Sequence, residues 1–241
     1  MPTLVALGDS FSCGEGVGVR VPLVQTWPTV LAQRAGFHVV RLARPGARVR
    51  DLCEQQLPLT PRADLATALI GLNDVCRGAF DEHGLAADLR RLVDGLLQRA
   101  DVVLLGRLHD PTQFLLLPRR LRMIVRGRIQ AINAAIDDVA GDSVRVMVLD
   151  LGTVEALRLR CAWADDGVHP TVFGHEALAA AAADMLRQTG QPIDFASMPA
   201  YTKPTTHIRH AYWLARYGLP YLALNAPAFA RPIAEGLRRA G

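Results

Sequence analysis

Five short apolar runs, at 3–7, 37–43, 66–70, 101–105 and 144–149, are spread along the first two thirds of the chain, and each ends at or near a Gly, Pro or Asp. Runs of this kind read as buried strands breaking into turns. Between and after them, apolar residues recur every three or four positions. The clearest cases are Leu85, Leu89, Leu92, Val93, Leu96 and Leu97, and then Leu121, Val125, Ile129, Ile132 and Ile136. Helices are predicted over 27–35 (stopped by Gly36), 49–56, 85–97, 121–139 and an alanine-rich 171–188, with an irregular stretch at 151–165. Strands that are apolar throughout are covered on both faces. The alternation therefore predicts a parallel sheet between two helical layers, a three-layer α/β/α sandwich. After Pro192 the rhythm breaks, and prolines mix with Tyr201, Tyr212, Trp213, Tyr217, Tyr221 and Phe229. The expected organisation is a domain at 1–190 and a helical or irregular extension at 191–241 that packs on the domain or on a second subunit.

Composition narrows the function classes. Half of the 241 residues are hydrophobic, enough for a large core, and no low-complexity tract or charge block suggests disorder. The net charge of +4 rests on arginines that are scattered and lack interleaved aromatics, so no nucleic-acid partner is expected. Cys13, Cys53, Cys76 and Cys161 are widely spread, with no C-x-x-C and no His at ligand spacing; free thiols are the plainer reading, and neither a metal nor a cofactor is expected. No stretch has the length of a membrane span or the layout of a signal peptide, which points to a cytoplasmic protein if residue 1 is the true start. The glycine-rich 13–18 lacks both the P-loop Lys-Ser/Thr and the G-x-G-x-x-G order, so a nucleotide loop is not expected.

Candidate chemistry gathers at the ends of the runs. Gly8-Asp9-Ser10-Phe11 puts a serine at the tip of the first strand, in the crevice where open α/β sheets place their sites. Alone, Ser10 also fits a turn or a helix cap. A serine hydroxyl needs a base, and His169 in Asp166-Gly167-Val168-His169 can serve, with Asp166 three residues upstream to hold Nδ1–H. Asp165 lacks that spacing. The Ser10 and Gly46 N–H groups and the Asn73 side-chain amide can donate to an oxyanion, although Asn73 also fits an amide that joins two loops.

Gly8-Asp9-Ser10-Phe11, Gly46 in Ala43-Arg44-Pro45-Gly46, Gly71-Leu72-Asn73-Asp74 and Asp166-Gly167-Val168-His169-Pro170 together resemble the four blocks of the SGNH/GDSL hydrolases, in the same order. The resemblance spans 8–170 and implies a flavodoxin-like sandwich with five parallel strands. It also implies Ser10 as nucleophile, His169 as base, Asp166 as its partner, and Ser10, Gly46 and Asn73 as oxyanion hole. The expected function is a serine-dependent acyl-ester hydrolase acting on a small-molecule ester through an acyl-enzyme. The alternatives are an acyltransferase with an alcohol or amine acceptor, and a non-catalytic binding module. Arg119, Arg122 and Arg126, with Arg120 and Arg128 nearby, read as a solvated face or as a dock for an anionic substrate part such as a phosphopantetheine arm. Pocket walls are expected in loops 12–26, 74–84, 108–120 and 151–165. The oligomeric state stays open.

Overall fold

The computed structural model describes residues 1–76, 80–115, 117–188 and 207–220. Its main sheet has five parallel strands: β1 (Thr3–Gly8), β2 (His38–Arg41), β3 (Ala63–Leu69), β4 (Ala100–Arg107) and β5 (Val146–Asp150). Their spatial order is β2-β1-β3-β4-β5, with all four pairings parallel. This is the 2-1-3-4-5 order of flavodoxin-like folds, in which the strand order reverses between β1 and β3 and a crevice opens at their C-terminal ends.

The helices are α1 (Ser10–Cys13), α2 (Trp27–Ala35), α3 (Val49–Asp51), α4 (Leu72–Cys76), α5 (Glu82–Leu97), α6 (Arg119–Gly141), α7 (Val172–Gln188) and α8 (His207–Trp213). Alternate residues of β1 explain the layering. Leu4 and Ala6 point into one core with Trp27 and Leu31 of α2 and Leu178 and Ala182 of α7. Val5 and Leu7 point into the other, with Leu89, Leu92 and Leu96 of α5 and Ile132 and Ile136 of α6. All four β1 residues are fully buried, which is why their run carries no polar position.

The structure departs from the sequence pattern in bounded ways. β2 is an edge strand and covers only part of 37–43, while β3 starts earlier, at Ala63. The fifth run loses its first residues: Val144 is fully exposed in the turn after α6. The helix expected at 49–56 is one turn of α3 followed by a wider turn over Leu52–Gln56 and a tighter one over Leu57–Leu59. Residues 13–20, read as a loop, hold a small antiparallel hairpin that pairs Glu15–Gly16 with Val19–Arg20. The boundary near residue 190 and Tyr201, Tyr221 and Phe229 lie outside the described residues. No helix among the described residues is long and apolar enough to cross a membrane.

Candidate active site

Ser10 owes its place to the way β1 ends. Gly8 has φ +138°, and a Cβ there would fall 2.6 Å from the Leu69 carbonyl and 2.8 Å from Ser12 Oγ, so only glycine lets the chain turn here. The buried Gln56 side chain secures that turn from the side, accepting from Gly8 N–H at 3.0 Å and donating to the Gly8 carbonyl at 2.9 Å. Asp9 caps α1 by accepting from Phe11 N–H at 2.9 Å. Ser10 is then the first residue of α1, and its N–H, like any at a helix start, has no intrahelical acceptor.

His169 arrives on a loop that closes on itself. Trp163 bridges Pro170, Ala164 N–H donates to the His169 carbonyl at 2.8 Å, and Gly167 (φ +72°) donates to the Ala164 carbonyl at 3.0 Å. Arg160 holds the carbonyls of Trp163 and Ala164. Within this loop the buried Asp166 accepts from Val168 N–H (2.8 Å) and His169 N–H (2.9 Å) through Oδ1, and its Oδ2 bonds His169 Nδ1. His169 Nε2 lies 2.8 Å from Ser10 Oγ. With a carboxylate at Nδ1, the ring proton sits there, and Nε2 is left to accept the serine proton.

Electrostatics follow from burial. For His169, burial pulls the pKa down, but the attraction and hydrogen bond of Asp166, and then the charge of Asp9, prevail and raise it above the ordinary value. Burial pushes the Asp9 carboxyl up to about 6, against the Phe11 N–H, His169 and Asn73. Burial likewise lifts Asp74 to about 6, although it accepts from Val49 N–H at 3.2 Å.

Asn73, in α4, donates through Nδ2 to Asp9 Oδ2 (3.0 Å) and to the Ala47 carbonyl (3.1 Å). The amide thus ties the β1 end to the loop after β2, as in the loop-joining alternative. Gly46 is in that loop at φ +75°, one residue before Ala47, and Arg44 N–H anchors the loop to the Gly8 carbonyl at 3.1 Å. A cleft of about 340 Å³ opens beside these loops, lined by Arg48, Asp74, Phe80, Leu85 and Asp88 among others.

Other polar side chains, Asp165 and the arginines among them, have different partners. Asp165 forms an ion pair with Arg209 at 3.3 Å. His175 is buried at the start of α7, where its Nδ1 accepts from Trp27 N–H at 3.2 Å, and burial lowers its pKa to about 3. Of the arginines, Arg122 donates to the Leu117 carbonyl, Arg126 pairs with Asp110, and Arg128 donates to the Val75 carbonyl; Arg119 and Arg120 are exposed. All four cysteines are free, and no cluster of metal-ligating side chains occurs among the described residues.

Sequence reasoning missed three features of the site. Gln56 carries no local signal, since its role depends on a strand end far away in sequence. Gly16 was passed over with its loop, yet a Cβ there would fall 2.5–2.7 Å from three atoms of the His169 ring. His109 stacks on Trp163 (centroids 4.1 Å apart) behind Phe11, whose ring is 6.2 Å from that of His169. Neither nitrogen of His109 has a hydrogen-bond partner among the described residues, and burial lowers its pKa to about 4. Phe11, backed by His109 and Trp163, gives the imidazole an aromatic neighbour.

Comparisons with known proteins agree with the fold. Residues 6–177 match the GDSL-like lipase/acylhydrolase family. No curated protein matches the sequence significantly. Among solved structures, the chain is similar to a member of the lipolytic protein G-D-S-L family from Veillonella parvula (17% identity, 77% of this chain and 98% of that one, TM-score 0.61). It is also similar to a psychrotrophic esterase from Pseudoalteromonas sp. in a form inhibited by monoethylphosphonate (15%, 78% and 98%, TM-score 0.61). A third is an acetyl xylan esterase variant from Geobacillus stearothermophilus (21%, 81% and 97%, TM-score 0.56).

Proposed function

The chain belongs to the GDSL-like lipase/acylhydrolase family, a family of serine ester hydrolases, and from that premise we propose that Ser10, His169 and Asp166 form its catalytic triad, acting on a small-molecule acyl ester. One observation carries the reading: the unbroken hydrogen-bonded line from Ser10 Oγ through both nitrogens of His169 to Asp166 Oδ2.

The chemistry follows the atoms. His169 Nε2 takes the Ser10 hydroxyl proton as Oγ attacks the ester carbonyl carbon, and the carbonyl π electrons move onto oxygen. Asp166 keeps the proton on Nδ1 and stabilises the imidazolium that forms. The oxyanion is received by Ser10 N–H, Gly46 N–H and the Asn73 amide. Both Asn73 N–H groups already have acceptors, so Asn73 contributes an N–H shared with Asp9 or Ala47. When the tetrahedral species collapses, the alkoxide leaves with the proton from Nε2. Water, deprotonated by the same nitrogen, then releases the acid and restores Ser10.

Hydrolysis of p-nitrophenyl esters by the wild type, Ser10→Ala and His169→Ala tests this. Both variants should lose at least about three orders of magnitude in kcat, and a fluorophosphonate should label only proteins that retain Ser10. Equal trace activity in all three would reject the hydrolase reading, and a wild type that also takes no label would reject the triad.

A second reading, acyl transfer to an alcohol or amine, draws on the packing of 207–220 against the loop that carries Asp165, because covering a site limits water. Adding acceptor alcohols during turnover separates the two: a transferase partitions acyl groups into a new ester, whereas a hydrolase releases only acid. Under either reading, an anionic substrate arm would meet Arg119 and Arg120, and a competition series of anionic and neutral esters tests that dock.

A further inference from the structure

The His169 ring is bonded at both nitrogens, but those two bonds leave it free to tilt about the line that joins them. Its tilt is set by what lies against its faces. Gly16 is in direct contact with the ring, closer than any side chain could approach. Yet the hairpin that carries Gly16 has only two residues in each strand, and a ribbon of that size is not stable by itself. Its own closures are Val21 N–H to the Gly14 carbonyl at 2.8 Å and the exposed Arg20–Glu15 pair.

Further support comes from the other end of the chain. Trp213 Nε1 donates to the Val17 carbonyl at the hairpin tip at 2.7 Å. The Tyr217 ring lies against Gly18, where a Cβ would fall 2.7 Å from Cδ2. The same segment also holds the loop that carries the acid. His210 Nδ1 bonds the Asp165 carbonyl, and Arg209 pairs with the Asp165 carboxylate at 3.3 Å. Residues 210, 213 and 217 share one face at helical spacing, so a single surface meets the hairpin on one side of His169 and the acid loop on the other.

We propose that residues 207–220 are a positioning element for His169: Trp213 and Tyr217 press the 15–20 hairpin onto the imidazole while Arg209 and His210 hold the chain next to Asp166. The inference rests on His169 being the base. None of these four residues touches the reacting atoms; they act through the two loops. Undocking the segment leaves Ser10 and the turn at Gly8 in place but frees the imidazole to tilt away from Ser10. It therefore affects the chemical step and not ground-state binding.

The test compares wild type, Trp213→Phe, Trp213→Ala and Tyr217→Ala by kcat and KM on one p-nitrophenyl ester, and by the rate of fluorophosphonate labelling at Ser10. Trp213→Phe keeps one aromatic ring and loses the Nε1–H with the rest of the indole, a smaller truncation that retains more of the packing than Trp213→Ala. The expected result is a graded loss, with kcat and labelling rate falling together by roughly tenfold in Trp213→Ala and less in Trp213→Phe, and KM changing little. Wild-type kcat and labelling rate in Trp213→Phe and Tyr217→Ala would overturn the proposal while leaving the triad intact. So would a rise in KM at constant kcat, which would make the segment a substrate wall. A wild type that neither hydrolyses the ester nor takes the label would bring down the triad reading and this one with it.

Discussion

Asn73 and Asp9 are bonded side chain to side chain, Nδ2 to Oδ2 at 3.0 Å, across the crevice where the strand order reverses. The bond joins α4, which follows β3, to the residue that caps α1, and so fixes the backbone on both sides of Ser10. It also gives the buried Asp9 one of its few donors.

Asn73→Ala removes that donor and the tie to Ala47. We expect kcat to fall by roughly 10² to 10³ from the lost oxyanion donor, and stability to fall by about 1–3 kcal/mol because Asp9 stays buried with one partner fewer. Ester turnover and urea unfolding measure the two separately. A drop in stability with unchanged kcat would leave Asn73 as a loop tie alone.

Asp9 makes stability depend on pH with a definite sign. Its pKa is about 6 in the folded protein against 3.8 ordinarily, so the folded state binds the proton more tightly. The stabilisation from that proton is complete below about pH 4 and is lost as pH rises through 6. It amounts to at most about 3 kcal/mol. The stability difference between Asp9→Asn and wild type should therefore move in the variant's favour from pH 4 to pH 6 and then level off. A difference independent of pH would show that Asp9 titrates normally.

As the proposed base, His169 should set the acid limb of activity. The base must be neutral to accept from Ser10, and Asp166 raises its pKa above 6.5. The logarithm of kcat/KM should rise with pH through an apparent pKa above that value. Asp166→Asn should cost about 10⁴ in kcat and shift any residual limb downward. A wild-type limb centred well below 6.5 would contradict the assignment.

Gly16→Ala isolates the contact on the imidazole. Gly16 is not in the left-handed region, so alanine brings no left-handed strain, and the three atoms nearest its Cβ all belong to the His169 ring. The expected outcome is a loss of at least about tenfold in kcat, a barrier increase of about 1.4 kcal/mol. The melting temperature should change little, since the hairpin contributes few core contacts. Calorimetry beside ester kinetics checks both.

The sequence by itself determined the sandwich and its chemical edge. Strand runs apolar at most positions lie between two covered faces, and Gly8, Gly71 and the short Asp166–His169 spacing are local signals of where the chain turns and what it presents there. The same locality brings Asp166 to the backbone and ring of His169, since three residues of one loop suffice. Tertiary structure alone decided what meets across long separations. Gln56 reaches Gly8, Trp213 reaches Val17, Gly16 lies under His169, and Asn73 spends its donors on Asp9 and Ala47. Each of these residue types is ordinary in its own neighbourhood, and its role comes from a partner brought close by the packing of separate elements. Hydrophobic periodicity records which side of an element is buried. It carries no record of which polar atom waits on the other side.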